Sequence, residues 1–259
     1  MATDTLVSFE DVSKRYLTQE GEVTILKDIN FQIKRNAFTI IYGPSGSGKT
    51  TILNMIMGLL RPSGGKVVVN SQDLYKLNQN DRAKFRARNF GSVYQTNNWI
   101  SSLNVIENVA LPLYLTGMDR SAALKEARDS LRRVDLEKYA NYNPQVLSIG
   151  QQQRISMARA TVTTPLLLVA DEPTGNLDSK NGDLIMKLIL SYKNQKNSTI
   201  ILVTHNADYL PLSDHRLFIS DGIVTEDQGG YHAEINEKFN KVATMIGLGK
   251  SAKEVNGGK

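Results

Sequence analysis

Gly43–Thr50, GPSGSGKT, is the first stretch whose residue types and spacing can do chemistry. It has the pattern G-x-x-x-x-G-K-[ST] and stands between a short apolar run and a segment of helical character, the setting in which such a loop cradles phosphate. Gly43, Gly46 and Gly48 let successive backbone N–H groups turn inward as a nest for an anion. A helix starting behind them adds its positive end. In that role Lys49 reaches the β- and γ-phosphates of a nucleotide and the Thr50 hydroxyl binds magnesium. Pro44, Ser45, Ser47 and Thr51 complete the cradle. Gly249-Lys250-Ser251 only imitates the end of such a loop, because Thr244 stands where the first glycine belongs and no strand precedes it.

A second group of residues handles water and metal. The apolar run Leu166–Ala170 ends at Asp171 and Glu172, which a parallel sheet would deliver beside the phosphate loop. There Asp171 holds the magnesium shell and Glu172 orients or deprotonates the attacking water. His205 closes the run Thr199–Thr204, and its strand is expected next to the Asp171 strand, within reach of a γ-phosphate. Gln95 ends Phe90–Tyr94 and can offer its amide oxygen to magnesium or water. Each has a plainer reading alone: the acidic pair as a strand cap, the histidine and glutamine as polar boundary residues. The phosphate loop gives them a common purpose.

The elements that must position these groups are legible as patterns. Ile29, Phe31 and Ile33 alternate with polar residues, the period of a sheet with one wet face. Val67–Val69, after Gly64–Gly65, reads as another antiparallel strand. Phe38–Tyr42, Leu166–Ala170 and Ile200–Val203 are continuous apolar runs, as in parallel strands covered on both faces. Residues 100–160 read as mostly helical, with Leu124, Ala127, Leu131 and Val134 on one face. Beyond Gly229–Gly230, Ile235, Phe239, Val242 and Ile246 recur at helical spacing and predict one amphipathic helix. Residues 247–259 are small and polar and are expected to be disordered.

Composition narrows the class. The chain has 259 residues, 41% hydrophobic and 22% charged, which suits a globular protein with a substantial core. The net charge of +5 is spread along the chain without an arginine-rich block, so no nucleic-acid partner is expected. No apolar stretch approaches the roughly 18–20 residues that span a bilayer, and the first residues lack a secretory pattern. Cysteine is absent, which removes disulfides, thiolate metal sites and cysteine nucleophiles and fits a cytoplasmic setting.

LSIGQQQR at Leu147–Arg154 makes a family visible. Over residues 5–228 the chain resembles the ATP-binding-cassette family, whose signature LSGGQ is lacking in P-loop kinases and GTPases. The resemblance implies an α/β P-loop NTPase of the ABC fold. Its parts are a mixed-sheet core, an N-terminal antiparallel β subdomain and a helical subdomain inserted at about residues 96–160. The cassette domain then spans 1–228, and 229–259 forms the helix and tail. By resemblance Gln95 matches the Q-loop, Glu172 the catalytic glutamate, His205 the switch histidine, and Asn176-Leu177-Asp178 the loop that communicates across a dimer. Tyr16 matches the aromatic that stacks on adenine. EPTGNLDS at Glu172–Ser179 and LNVIENVALPL at Leu103–Leu113 are most similar to the branch of macrolide-export, lipoprotein-releasing and cell-division cassettes.

The signature also has a physical reading. Ser148-x-x-Gln151 is a capping box that opens a helix, and an exposed helix start is an anion site. In the family that start, through Ser148, Gly150 and Gln151, faces ATP bound to the opposite subunit. Ile149 departs from the family's glycine. At the first helical position it needs no unusual backbone and is expected to be tolerated. The resemblance thus implies an ATPase subunit with ATP and Mg2+ as cofactors, paired with a second copy or a paralogous ATPase subunit. It would be peripheral on the inner face of the cell membrane and would drive transmembrane permease subunits, by export or mechanotransmission. The alternatives are an importer ATPase subunit and a soluble cassette acting on nucleic acid or ribosomes. The latter usually carries a long coiled coil or two cassettes, and neither pattern occurs here. A nucleotide kinase leaves Leu147–Arg154 unexplained.

Overall fold

The computed structural model describes residues 4–19, 21–196 and 198–227. The amphipathic helix expected over 235–246 and the polar tail lie outside the described residues. The chain opens with the long hairpin β1 (Thr5–Thr18) and β2 (Gly21–Lys34), then β3 (Phe38–Tyr42), α1 (Lys49–Ile56), β4 (Gly64–Val69) and β5 (Gln72–Asp73). There follow α2 (Gln79–Asn89), β6 (Phe90–Tyr94), α3 (Val105–Leu115), α4 (Arg120–Arg133) and α5 (Ile149–Thr161). The rest is β7 (Leu167–Asp171), α6 (Ser179–Lys196), β8 (Thr199–Val203), β9 (His215–Ser220) and β10 (Ile223–Glu226).

Two sheets form. The first has the order β2-β1-β4-β5 and is antiparallel throughout. The second has the order β10-β9-β3-β8-β7-β6, parallel from β9 to β6, with β10 added antiparallel at the edge. This is the mixed α/β architecture expected from the sequence.

The apolar runs explain how the layers join. Successive side chains of a strand point to opposite faces, so an uninterrupted apolar run feeds two cores. Ile41, Leu167, Val169, Ile201 and Val203 pack into a cluster shared with α1 and the antiparallel sheet. Phe38, Ile40, Leu168, Ala170, Ile200 and Leu202 pack on the other face, against Ile185, Met186 and Ile189 of α6. A third cluster unites α3 and α4, through Val105, Val109, Ala123, Ala127 and Leu131.

One helix belongs to two of these cores. Ile155 and Ala158 of α5 sit in the helical cluster, while Met157 and Ala160 sit on the sheet. Gly91 lets the sheet come close: a Cβ there would lie 2.0 Å from the Ala160 carbonyl oxygen, so only glycine fits.

Candidate active site

Strand register carries the chemistry to one edge. Ile41 pairs with Val203, Val203 with Asp171, and Asp171 with Tyr94. The chain therefore leaves four parallel strands at a common C-terminal edge, with Gly43, His205, Glu172 and Gln95 following in each case. The strand leading to His205, β8, lies next to the Asp171 strand, as expected. It stands between β3 and β7, and Asp171 meets the phosphate loop through α1. The Thr50 hydroxyl, in the first turn of α1, lies 3.4 Å from Asp171 Oδ2.

The loop itself is shaped by glycine. Gly43, Gly46 and Gly48 have φ of 148°, 78° and 106°, conformations that L side chains rarely adopt. At Gly43 a Cβ would sit 2.0 Å from the Ile219 carbonyl oxygen. Gly48 is the N-cap of α1 and supplies no side-chain hydrogen bond, and the first turn carries no acidic residue. The helix end is thus left positive toward the loop. Lys49 Nζ bends back to donate to the Gly43 and Pro44 carbonyls at 2.9 and 2.7 Å. The buried Ser47 hydroxyl has no hydrogen-bond partner among the described residues. Ser45, Gly46 and Ser47 line one wall of a cavity of about 370 Å³, faced by Thr24, Ile25 and Asp221.

The acidic pair is divided by environment. Burial raises the Asp171 carboxyl above its usual range; the Thr50 hydrogen bond opposes this, the charge of Glu172 adds to it, and Lys49 opposes it. Glu172 takes a left-handed backbone, φ 47°, while its N–H still bonds the Val203 carbonyl at 2.9 Å. That turn aims its carboxylate at His205, whose Nδ1 lies 2.8 Å from Glu172 Oε1. Gln95 Nε2 donates to Asn176 Oδ1 at 3.1 Å. Gly175 keeps this contact open, since a Cβ there would come within 2.9 Å of Gln95 Nε2. The set fits phosphate and a hard divalent cation: an ammonium, an uncapped helix start, and hydroxyl and carboxylate oxygens on one cation-sized gap.

The remaining motif residues sit elsewhere. Ser148 caps α5: its Oγ accepts from the Gln151 N–H at 3.3 Å, and Gln151 Oε1 accepts from the Ser148 N–H at 2.9 Å. Ile149 is the first helical residue, 59% exposed and outside the positive-φ set. Gly150 faces Asn181, whose Oδ1 a Cβ would meet at 2.5 Å. Asp178 accepts from both the backbone and the side-chain amide of Asn181, at 2.8 and 2.9 Å. Those bonds, the backbone one first, hold its carboxyl below the usual range. Tyr16 lies far out on the hairpin, paired with Val23, with Lys14 Nζ 4.7 Å from its ring centroid. Sequence reasoning placed Asn176 in the loop before Asp178 but not against Gln95, and it gave no role to Asn181, Gln152, Gln153, Trp99 and Arg159. An asparagine at either side of Asp178 and a lone tryptophan in a polar stretch were the signals available.

Residues 26–175 match the family described as ABC transporter. The chain belongs to the ABC transporter family. This cassette is 37% identical over 221 residues to the lipoprotein-releasing system ATP-binding protein LolD of Shewanella oneidensis, covering 85% of the chain and 95% of LolD. It is 36% identical over 239 residues to the macrolide export ATP-binding/permease protein MacB of Vibrio parahaemolyticus, covering 92% of the chain and 36% of MacB. Its structure resembles the dimeric post-hydrolysis state of the ATP-binding cassette MJ0796 of Methanocaldococcus jannaschii bound to ADP and Pi. That match has a TM-score of 0.80 and 36% identity, over 86% of this chain and 98% of the other. The cassette is therefore the ATPase subunit of an ABC transporter, in the branch expected from Glu172–Ser179. No helix among its described residues is long and apolar enough to cross a membrane.

Proposed function

We propose that two copies of this cassette, or one copy and a paralogous subunit, close around MgATP and drive a separate transmembrane permease. The motion transmitted is of the export or mechanical type, and the cassette sits peripherally on the inner face of the cell membrane. The observation that carries this reading is the convergence at one sheet edge: Thr50 on Asp171, and Glu172 on His205.

In this reading Gly43–Thr51 wraps the phosphates and Lys49 exchanges its two loop carbonyls for the β- and γ-oxygens. Thr50 and Asp171 would hold a magnesium ion, with Gln95 as a further oxygen donor, and the ion would supply neutralisation of charge on the phosphates. The half-buried Asp171 carboxylate would gain a positive partner beyond the charge of Lys49. Glu172 takes a proton from water, and His205 holds the glutamate and the γ-phosphate in register. Tyr16 offers a ring face to the base once Lys14 moves aside. Ser148, Gly150 and Gln151 present the α5 start to the γ-phosphate of the facing subunit, and Asp178 links the two halves.

A groove of about 590 Å³ between α2, α3 and α5 supports a docking place for the permease. Leu59, Phe90, Leu111 and Leu115 make it apolar, with Lys84 and Arg86 at its border. The experiment is Glu172→Gln. The variant is expected to bind ATP as tightly as the parent, to lose at least about 100-fold in turnover, and to accumulate a dimer in MgATP. Hydrolysis at the parental rate would remove Glu172 as the base.

A further inference from the structure

The segment between Gln95 and α3 is irregular, yet it is tied down at three places. Gln153 Nε2 donates to the Tyr94 carbonyl at 3.0 Å. Asn108 closes the far end, accepting from the Ile100 N–H at 3.0 Å and donating to the Ile100, Leu103 and Asn104 carbonyls. Between these ends stands Trp99, the chain's one tryptophan.

Trp99 has contacts in two directions. One face of its indole carries the Arg159 guanidinium, 4.5 Å from the ring centroid. Arg159 also donates to the Asn97 carbonyl at 2.6 Å and the Asn98 carbonyl at 3.4 Å. Burial pulls the Arg159 pKa down to about 10, so it remains a cation at neutral pH. Arg159 and Asn98 both line the apolar groove. In the other direction the indole Nε1–H donates to Gln152 Oε1 at 2.8 Å, and Gln152 Nε2 donates to the Leu147 carbonyl at 2.9 Å. Leu147 is the residue immediately before the capping Ser148.

We propose that Trp99 is a positioning residue that links the groove to the Ser148 end of α5, through Arg159 on one side and Gln152 on the other. This rests on the reading that Ser148 contacts nucleotide across a dimer. The chain of contacts is continuous: groove wall, guanidinium, indole, amide, carbonyl, cap. A body filling the groove displaces or fixes Arg159, and the indole transmits that change to the backbone that aims the cap. The indole N–H and the Gln152 amide act as one unit, so removing either breaks the same link.

The test uses the full chain carrying Glu172→Gln, with Trp99→Phe, Gln152→Leu and the pair together added in turn. ATP affinity of the monomer and the MgATP-driven dimer constant are both measured. Each single change is expected to weaken the dimer about tenfold, because one hydrogen bond is lost on each side of a two-fold assembly. The double change is expected to weaken it no more than either single one, with monomer affinity for ATP unchanged within about twofold. Effects that multiply to about a hundredfold, or a dimer constant that does not move, would overturn the link. Weakened ATP binding in the monomer would also overturn it, by showing a general packing role. If the Glu172→Gln protein alone forms no dimer in MgATP, the dimer reading itself fails, an outcome separate from the others. A readout independent of assembly is the Trp99 emission, which is expected to shift in the Gln152→Leu protein before any nucleotide is added.

Discussion

The two ends of the proposed ATP site are built by different means. The phosphate-loop end is made by backbone: parallel register, three glycines in rare conformations, and a helix start with no side-chain cap. The Ser148 end is made by side chains: a capping box, the Gln152 amide, and Asn181 packed under Gly150. A backbone-built site is stiff, since moving it means breaking a sheet. A site held by side-chain hydrogen bonds, each worth about 1 kcal/mol, can be re-aimed at little cost. The division assigns fixed chemistry to one end and adjustable contact to the other.

The largest effect that tests this contrast is expected at Gly43. A Cβ there meets the Ile219 carbonyl oxygen at 2.0 Å and forces a strained φ, so Gly43→Ala should destabilise the fold by about 3–5 kcal/mol. Thermal denaturation should show a drop of roughly 10 °C. At the other end, Ser148→Ala removes one cap and should cost about 1 kcal/mol, a shift of a few degrees, with ATP binding by the monomer intact. Comparable losses at the two positions would break the contrast.

The smallest effect sharpens it. The Asp171 carboxyl is raised above its ordinary value in the fold, first by burial. The folded state thus holds that proton more tightly than the unfolded chain. The stability it contributes is complete below the ordinary carboxylate pKa, about 3.9, and is lost as pH rises through the raised value. At neutral pH the nucleotide-free protein carries this penalty, so Asp171→Asn should raise its melting temperature by a few degrees. The same change should abolish the extra stabilisation that magnesium adds in the presence of ATP. A variant that melts lower without nucleotide would show that Asp171 is not penalised by burial.

Much of the fixed end was legible from residue order alone. GPSGSGKT, the apolar runs and the acidic pair are local patterns, and parallel pairing turns them into one edge without further information. That β8 neighbours β7 was expected, but its pairing with β3 on the other side was not legible, because strand order is a long-range choice. Ser148 and Gln151 were readable as a capping box, since that motif is complete within four residues. Trp99 and Arg159 were not, because their partners lie far along the chain and nothing in a lone side chain names its partner. Tyr16 was assigned by resemblance, and in the fold Lys14 rests on its ring, a contact that spacing did not suggest.

The close approach of Gly91 to Ala160 gives α5 a fulcrum. From Ala160 back to Ser148 the helix is a lever arm of about 18 Å, at roughly 1.5 Å per residue. Turning the arm by about 10° would swing its tip through about 3 Å, the length of a single hydrogen bond. Gly91 and Ala160 also form part of the groove wall with Arg159 and Thr163, so a partner docked there would push close beside the pivot, where a small displacement is multiplied at the Ser148 tip.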